Sequence, residues 1–228
     1  MYMKTSLQWR FTTVFMAMMQ MIGSDLGRSV DAVIFDFGGV LADEGFFDGF
    51  RAIATQHGMD PGGLAETAVD VVRGGGYVEG RASEEDFWEE FRARTGLTES
   101  DAQLRHEILS RFTLRGHMFD TVDKLREAGY KVAILSDQTN WLEELDAVHG
   151  IYRRFDLVLN SYRMGKTKKD PSIFDEIVKA LGVAPGRALF VDDFEGHIRR
   201  ATGRNLKTIH YTNRESFERQ FKKYCPGL

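Results

Sequence analysis

From Ala32 to Phe35 the chain is continuously apolar and rich in β-branched residues, ending at Asp36 with Gly38 and Gly39 just beyond. A short apolar run closed by glycines reads as a strand buried on both faces. The same form recurs three times. Lys131 to Leu135 ends at Ser136 and Asp137, Phe155 to Leu159 at Asn160 and Ser161, and Ala188 to Val191 at Asp192 and Asp193. A weaker fifth run spans Lys207 to Tyr211.

Between these runs the pattern takes a helical period. Met118, Val122 and Leu125 share one face ahead of Gly129, and Ile173, Phe174, Ile177, Val178 and Leu181 form a stripe that stops at Gly182. Asp170 can cap the second helix, and Pro171 suits its first position, where a missing N–H costs nothing. Strands alternating with helices predict an α/β fold: a Rossmann-like three-layer core with a parallel sheet between helices.

Residues 47–113 break the alternation. Helical patterns run over Phe50 to His57, Gly63 to Arg73, Glu84 to Thr95 and Glu99 to Phe112, with no convincing strand among them. Ser83 and Asp86 mark one helix start, and Phe87, Trp88 and Phe91 give that helix an apolar face. Gly74, Gly75 and Gly76 read as a flexible break. An all-helical block inserted after the first strand predicts an α-helical cap domain over 47–113. Residues 29–46 and 114–228 then form the core, with 1–28 an N-terminal extension outside it.

That extension carries Lys4 and Arg10 before an apolar stretch from Phe11 to Ile22. The stretch is shorter than the roughly 20 residues a membrane helix needs, so no stable membrane insertion is expected. It also lacks a small-x-small cleavage pattern before Asp25, and Met21 would serve as an alternative start.

Charge narrows the partners. The net charge is -4 and the pI about 5.9, with no basic block to track a nucleic acid. The lone Cys225 rules out an intramolecular disulfide and fits a reducing, cytoplasmic setting. The sequence leaves the oligomeric state open, a homodimer included.

In an open parallel sheet, ligands bind outside the carboxyl ends of the strands. Asp36, Ser136, Asp192 and Asp193 all follow predicted strands, so the fold should gather them at one edge. Their order is also recognisable. Residues Phe35 to Leu41 (FDFGGVL) resemble motif I of the haloacid-dehalogenase-like superfamily, and Leu135-Ser136-Asp137 resembles motif II. Gly165 to Phe174 (GKTKKDPSIF) resembles the lysine segment of motif III, and Phe190 to Asp193 (FVDD) resembles motif IV. The ordered set covers about four-fifths of the chain, and the helical insert falls where that family carries its cap.

The resemblance implies roles. Asp36 would attack phosphorus and form an aspartyl-phosphate, splitting one displacement into two easier ones. Magnesium would be held by Asp36, the Gly38 carbonyl and Asp193, with Asp192 behind; hard oxygen ligands suit that ion. Ser136 would hold a phosphoryl oxygen, and Asp137, Gly39 and Asn140 would complete the substrate site, although Asn140 also suits the start of the next helix. Lys168 would neutralise the phosphate and orient Asp36. Lys169 stands at the motif's usual proline position, so Lys166 and Lys169 remain fallbacks. His197 replaces a common asparagine and reads as a helix or loop contact, with ligand contact as the alternative.

One departure matters most. Such phosphatases usually carry a second aspartate two residues after the nucleophile, which protonates the leaving group; here that position is Gly38. Losing a general acid costs about 10²–10⁴-fold. Either the substrate has a good leaving group, or Asp43 or Glu44 delivers the proton, a polar loop being the favoured reading of that pair. Aryl phosphates should therefore turn over much faster than alkyl phosphates. Phe46, Phe47, Arg51, Tyr77 and Trp88 are candidate specificity contacts, though their spacing places most of them in a core. The sequence thus predicts a magnesium-dependent phosphatase of a small phosphorylated metabolite. Two alternatives stand: a metal-free haloacid dehalogenase, and a degenerate domain that binds a phosphorylated ligand.

Overall fold

The computed structural model describes residues 28–228, and the expectations for the N-terminal stretch before Arg28 lie outside them. Five strands, β1 (Ala32–Phe35), β2 (Lys131–Ser136), β3 (Leu157–Asn160), β4 (Ala188–Asp192) and β5 (Lys207–His210), form one sheet in the order β3-β2-β1-β4-β5. Every pairing is parallel.

Strand alternation divides the core in two. Val33, Phe35, Val132, Ile134, Leu189 and Val191 join one buried cluster, while Ala32, Ile34, Ala133, Leu135, Ala188 and Phe190 join the other. The continuous apolar runs exist because both faces are covered. On the second face lies α8 (Ser172–Leu181), whose whole stripe of Ile173, Phe174, Ile177, Val178 and Leu181 is buried. Asp170 Oδ1 accepts from the Ser172 amide at 2.9 Å, while Pro171, expected at the first helical position, stands at the N-cap. Among the described residues, α5 (Gly116–Glu127), α6 (Trp141–His149), the single-turn α7 (Ser161–Met164), α9 (Glu195–Gly203) and α10 (Arg214–Tyr224) complete the sheet-flanking connections.

The strand ends differ from expectation where chemistry sits. Ser136 pairs with Asn160 and Asp192 with His210, so β2 and β4 carry their ladders into the polar residues predicted to lie just past them. Conversely β3 starts at Leu157 and not at Phe155. The Phe155 amide is spent on Tyr152, closing a 3-10 turn over Tyr152–Arg154, before the chain joins the edge of the sheet.

Between β1 and α5 the chain forms α1 (Gly45–Gln56), α2 (Pro61–Gly74), α3 (Glu84–Thr95) and α4 (Asp101–Leu109). Ser83 and Asp86 make a reciprocal capping box at the start of α3, as do Ser100 and Gln103 for α4. The sequence pattern starts α1 at Phe50, five residues late. Gly45 and Gly49 obscured its first turn, and both are buried where a side chain would strike Phe112 and Ile108.

This block is not loosely attached. Trp141, at the first position of α6, packs between Tyr77, Phe87 and Trp88, with ring centroids 5.7–6.0 Å apart. Tyr77 and Trp88 are therefore buried packing residues, whereas Arg51 lies exposed beside Asp48. The two crossings between block and core run side by side: the Asp43 amide donates to Thr113 O at 3.0 Å and Arg115 N to Leu41 O at 2.9 Å. The Arg115 side chain ties them further, reaching Asp43 at 3.0 Å and the Gly39 carbonyl.

Candidate active site

Asp36 follows the central strand. Its backbone amide donates to Val191 O at 2.9 Å, which fixes its position between β2 and β4. Its side chain accepts three bonds: the Phe37 amide at 2.7 Å and Ser136 Oγ at 2.6 Å on Oδ1, and Lys168 Nζ at 2.6 Å on Oδ2. The same ammonium reaches Asp192 Oδ2 at 2.6 Å. Lys168 is fully buried, and its backbone amide is pinned by Asp137 Oδ1 at 2.8 Å. Lys166 instead bonds Ser172 and Glu176, and Lys169 is exposed. Of the three lysines, Lys168 is the one brought to Asp36.

Asp192 is saturated. Besides Lys168 it accepts from the Phe194 amide at 2.7 Å, and His197 Nδ1 lies 3.2 Å from both its oxygens. Asp193 is the opposite case: among the described residues no other residue gives its carboxylate a hydrogen bond or ion pair, while its backbone carbonyl meets His210 at 2.8 Å. It packs over Gly39, whose φ of 75° and bare Cα let the carboxylate approach; a Cβ there would collide with it.

Electrostatics follow this arrangement. Burial pushes the Asp36 carboxyl well above its ordinary range against the pull of Lys168, with Asp192 adding to the rise. Burial acts the same way on Asp192, but Lys168 and His197 outweigh it and hold that carboxyl below the usual range. For Lys168, burial would favour neutrality; Asp192 and Asp36 reverse this and keep it charged. Asp193 is raised by burial and then by Asp192. One lysine is thus shared between two buried carboxylates, with further acids beside them.

A cavity of about 340 Å³ opens over these groups. Asp36, Gly38, Asp137, Lys168, Asp193 and His197 make its floor, and Phe46, Phe47, Val69, Val72, Arg73 and Val78 come from the helical block and the turn after it. His197 thus reaches the cavity and also contacts Asp192. Three expected substrate contacts are engaged by neighbouring residues of the protein itself. Ser136 spends its hydroxyl on Asp36, Gly39 is buried under Asp193, and Asn140 accepts from Tyr77 Oη at 2.5 Å at the start of α6. None of the three lines the cavity.

Glu44 was underweighted by the sequence reading. Asp43 and Glu44 look alike in a polar loop, yet Asp43 turns to Arg115 while Glu44 lines the cavity. A Cβ built on Gly38 would lie 2.8 Å from Glu44 Oε1. Burial, then Asp193, push the Glu44 carboxyl up to about 7. Gln138, Thr139, Val69, Val72 and Phe194 also line the cavity without having been singled out. The i, i+3 spacing of Val69 and Val72 was the available signal for that pair.

The site thus places a buried carboxylate just past the central strand of a flanked parallel sheet, held by a lysine from a later loop. The sequence model of the haloacid dehalogenase-like hydrolases matches residues 30–199, so this chain belongs to that family. Its fold is similar to that of an HAD family enzyme from Bacteroides thetaiotaomicron, with a TM-score of 0.70 and 22% identity over 85% of this chain and 99% of that one. The same enzyme is also known in complex with magnesium and inorganic phosphate, matched at a TM-score of 0.65 and 23% identity over 81% and 94% of the two chains. L-2-haloacid dehalogenase from Xanthobacter autotrophicus, with chloropropionic acid covalently bound, shares the fold at a TM-score of 0.61 and 19% identity, covering 85% of this chain and 83% of that one. Acyl-CoA dehydrogenase family member 10 of Mus musculus is 26% identical over 80% of this chain. The chain spans only 18% of that protein's length, and between 22 and 29% of the other curated relatives it matches. Among the described residues no helix is long and apolar enough to cross a membrane.

Proposed function

We propose that this hydrolase is a magnesium-dependent phosphatase that transfers the phosphoryl group of a small substrate to Asp36 and then to water. The observation that carries the reading is that Asp193, whose carboxylate no other described residue engages, shares one cavity floor with Asp36, where a single ammonium, Lys168, is already shared. That surplus of negative charge would repel a phosphate unless a cation offset it. Asp36, Asp192 and His197 also place donor atoms within 4.8 Å of one another. Asp192, however, has its oxygens taken by Lys168, Phe194 and His197, so Asp36, Asp193 and the Gly38 carbonyl suit the ion better, with Asp192 holding Lys168 behind them. Magnesium bound there supplies charge neutralisation for the incoming phosphate.

The chain's own groups do the rest. The Phe37 amide, Ser136 and Lys168 fix the Asp36 carboxylate toward the cavity, and an Asp36 oxygen attacks phosphorus as the bond to the leaving oxygen breaks. Lys168 remains charged and offsets the developing charge. Glu44, set in the space left by Gly38, is the side chain placed to give the leaving oxygen a proton. Water then attacks phosphorus, giving a proton back to the Glu44 carboxylate, as the bond from Asp36 to phosphorus breaks to release phosphate and restore Asp36. On this reading Glu44 offsets the loss at Gly38, and alkyl phosphates become workable substrates. The helices over 47–113 act as the cap that closes the site from above.

The test is phosphate release from a panel of phosphomonoesters, with and without magnesium. Release that stops on chelation and is absent from Asp36→Asn supports the phosphatase. Chelator-resistant release of halide from a 2-haloacid would replace it with the dehalogenase reading. Binding of phosphate esters without turnover would replace it with the degenerate one.

A further inference from the structure

The cavity has two unlike halves. The lining residues that come from the strand ends and their loops are largely charged, and those from the helical block form a mostly apolar wall: Phe46 and Phe47 from α1, Val69 and Val72 from α2, and Val78 beyond it. Arg73 is the one charged residue of that wall, exposed in the last turn of α2, where a cation suits the helix end. The hydroxyl of Thr139 is already engaged by the Trp141 amide at 3.3 Å. Gln138 lies low, 3.3 Å from where a Cβ on Gly38 would be. Polar groups are therefore concentrated where a phosphate would sit.

Phe194 marks the floor's edge. It is 57% exposed, one of two large hydrophobics so exposed among the described residues, and it follows Asp193 directly. Its amide is pinned by Asp192 Oδ1 at 2.7 Å, and its ring lies edge-on to His197 with centroids 4.9 Å apart. A Cβ at Gly196 would lie 2.6 Å from Phe194 Cε1, so the glycine makes room for the ring over the start of α9. A ring left to solvent would ordinarily fold onto apolar surface; this one is held out beside the cavity by its neighbours.

From the apolar side chains of the helical block and the exposed, fixed aromatic ring that line one cavity, we infer that the esterified group of the substrate is aromatic or otherwise apolar, taken up by Phe194, Phe46, Phe47 and Val72. The inference rests on the phosphatase reading and narrows its substrate class. A sugar body would leave most of its hydroxyls without partners against that wall, where Arg73 is the one charged donor, and binding sites reject polar groups they cannot pair. The cavity volume lies at the small end of sites for small molecules, enough for a body of one or two rings.

The test uses primary alkyl phosphates of similar leaving group, so that chemistry does not mask recognition. The full chain with magnesium is assayed on 2-phenylethyl phosphate, glucose 6-phosphate and methyl phosphate. The expected kcat/KM for phenylethyl phosphate exceeds that for glucose 6-phosphate by at least about tenfold, the scale of burying a few methylenes. Phe194→Ala and Val72→Asn should each lower the phenylethyl-to-methyl ratio by about tenfold, through KM more than kcat. Glucose 6-phosphate turned over as well as phenylethyl phosphate, or ratios unmoved by both variants, would overturn the inference. Calorimetric binding of phenylethylphosphonate and methylphosphonate separates it from the phosphatase reading. If no ester is hydrolysed, that reading fails, and an absent preference for the phenylethyl compound overturns the substrate class as well.

Discussion

Glu44 occupies the space that a side chain at Gly38 would need: Glu44 Oε1 lies 2.8 Å from the position of a Gly38 Cβ. On the proposed mechanism Glu44, at the N-cap of α1, would supply the acid in place of a side chain at Gly38. Glu44→Gln should slow alkyl phosphate hydrolysis by about 10²-fold and acetyl phosphate hydrolysis far less, because an acyl phosphate needs little help with its leaving group. Gly38→Asp should restore much of the alkyl activity in a Glu44→Ala background, where the clash is gone. Equal loss on both substrates, with no rescue, would reduce Glu44 to a structural residue.

The protonation of Glu44 also predicts how the metal-free protein responds to pH. Its folded pKa of about 7 exceeds the ordinary 4.5, so between those values the folded state holds a proton that the unfolded chain has released. Stability from this group is full below about 4.5 and is lost as pH rises through about 7. Asp193 faces Glu44 and is raised in the same direction; Lys168 opposes the rise, while Asp48 and Asp192 add to it. Denaturant unfolding without metal should show a loss on the order of 1–3 kcal/mol between pH about 5 and about 8, smaller in Glu44→Gln. Magnesium should stabilise the protein more at the higher pH.

Lys168 is fully buried between two carboxylates. Lys168→Met should abolish turnover and destabilise the fold by about 3–5 kcal/mol, because it strands buried charge. Lowering the pH should recover part of that stability by protonating Asp36. Lys169→Ala, at an exposed position, should leave stability within about 0.5 kcal/mol.

Gly39→Ala tests the placement of Asp193. The added methyl meets the Asp193 carboxylate and sits on a positive φ. It should weaken magnesium binding, read by calorimetry, by tenfold or more, and lower activity at limiting magnesium more than at saturation.

Most of the sheet was legible because the first four strands are short, largely apolar and closed by a polar residue, a local pattern that needs no tertiary knowledge; β5, Lys207–His210, carries it only weakly. Asp36, Ser136, Asp192 and Asp193 could be grouped because parallel topology brings strand ends together, whereas Lys168, in a loop between two helices, was reached only through the resemblance to motif III. Glu44 and Phe194 could not be weighted in this way. The space beside Gly38 is defined by a helix that begins at Gly45, and Gly45 and Gly49 hid that helix's first turn. Phe194 has no marker in the sequence, since its placement depends on Gly196 and His197. Asn140 was open to two readings from sequence, and the structure gives its side chain to Tyr77.

The central claim, that Asp36 carries the phosphoryl group, is tested most directly by trapping it. Protein mixed with acetyl phosphate and magnesium, quenched in acid and digested, should yield a phosphoryl adduct on the peptide containing Asp36. The adduct should be lost with chelator and in Asp36→Asn. Turnover without an adduct there, or turnover surviving Asp36→Asn, would contradict the account.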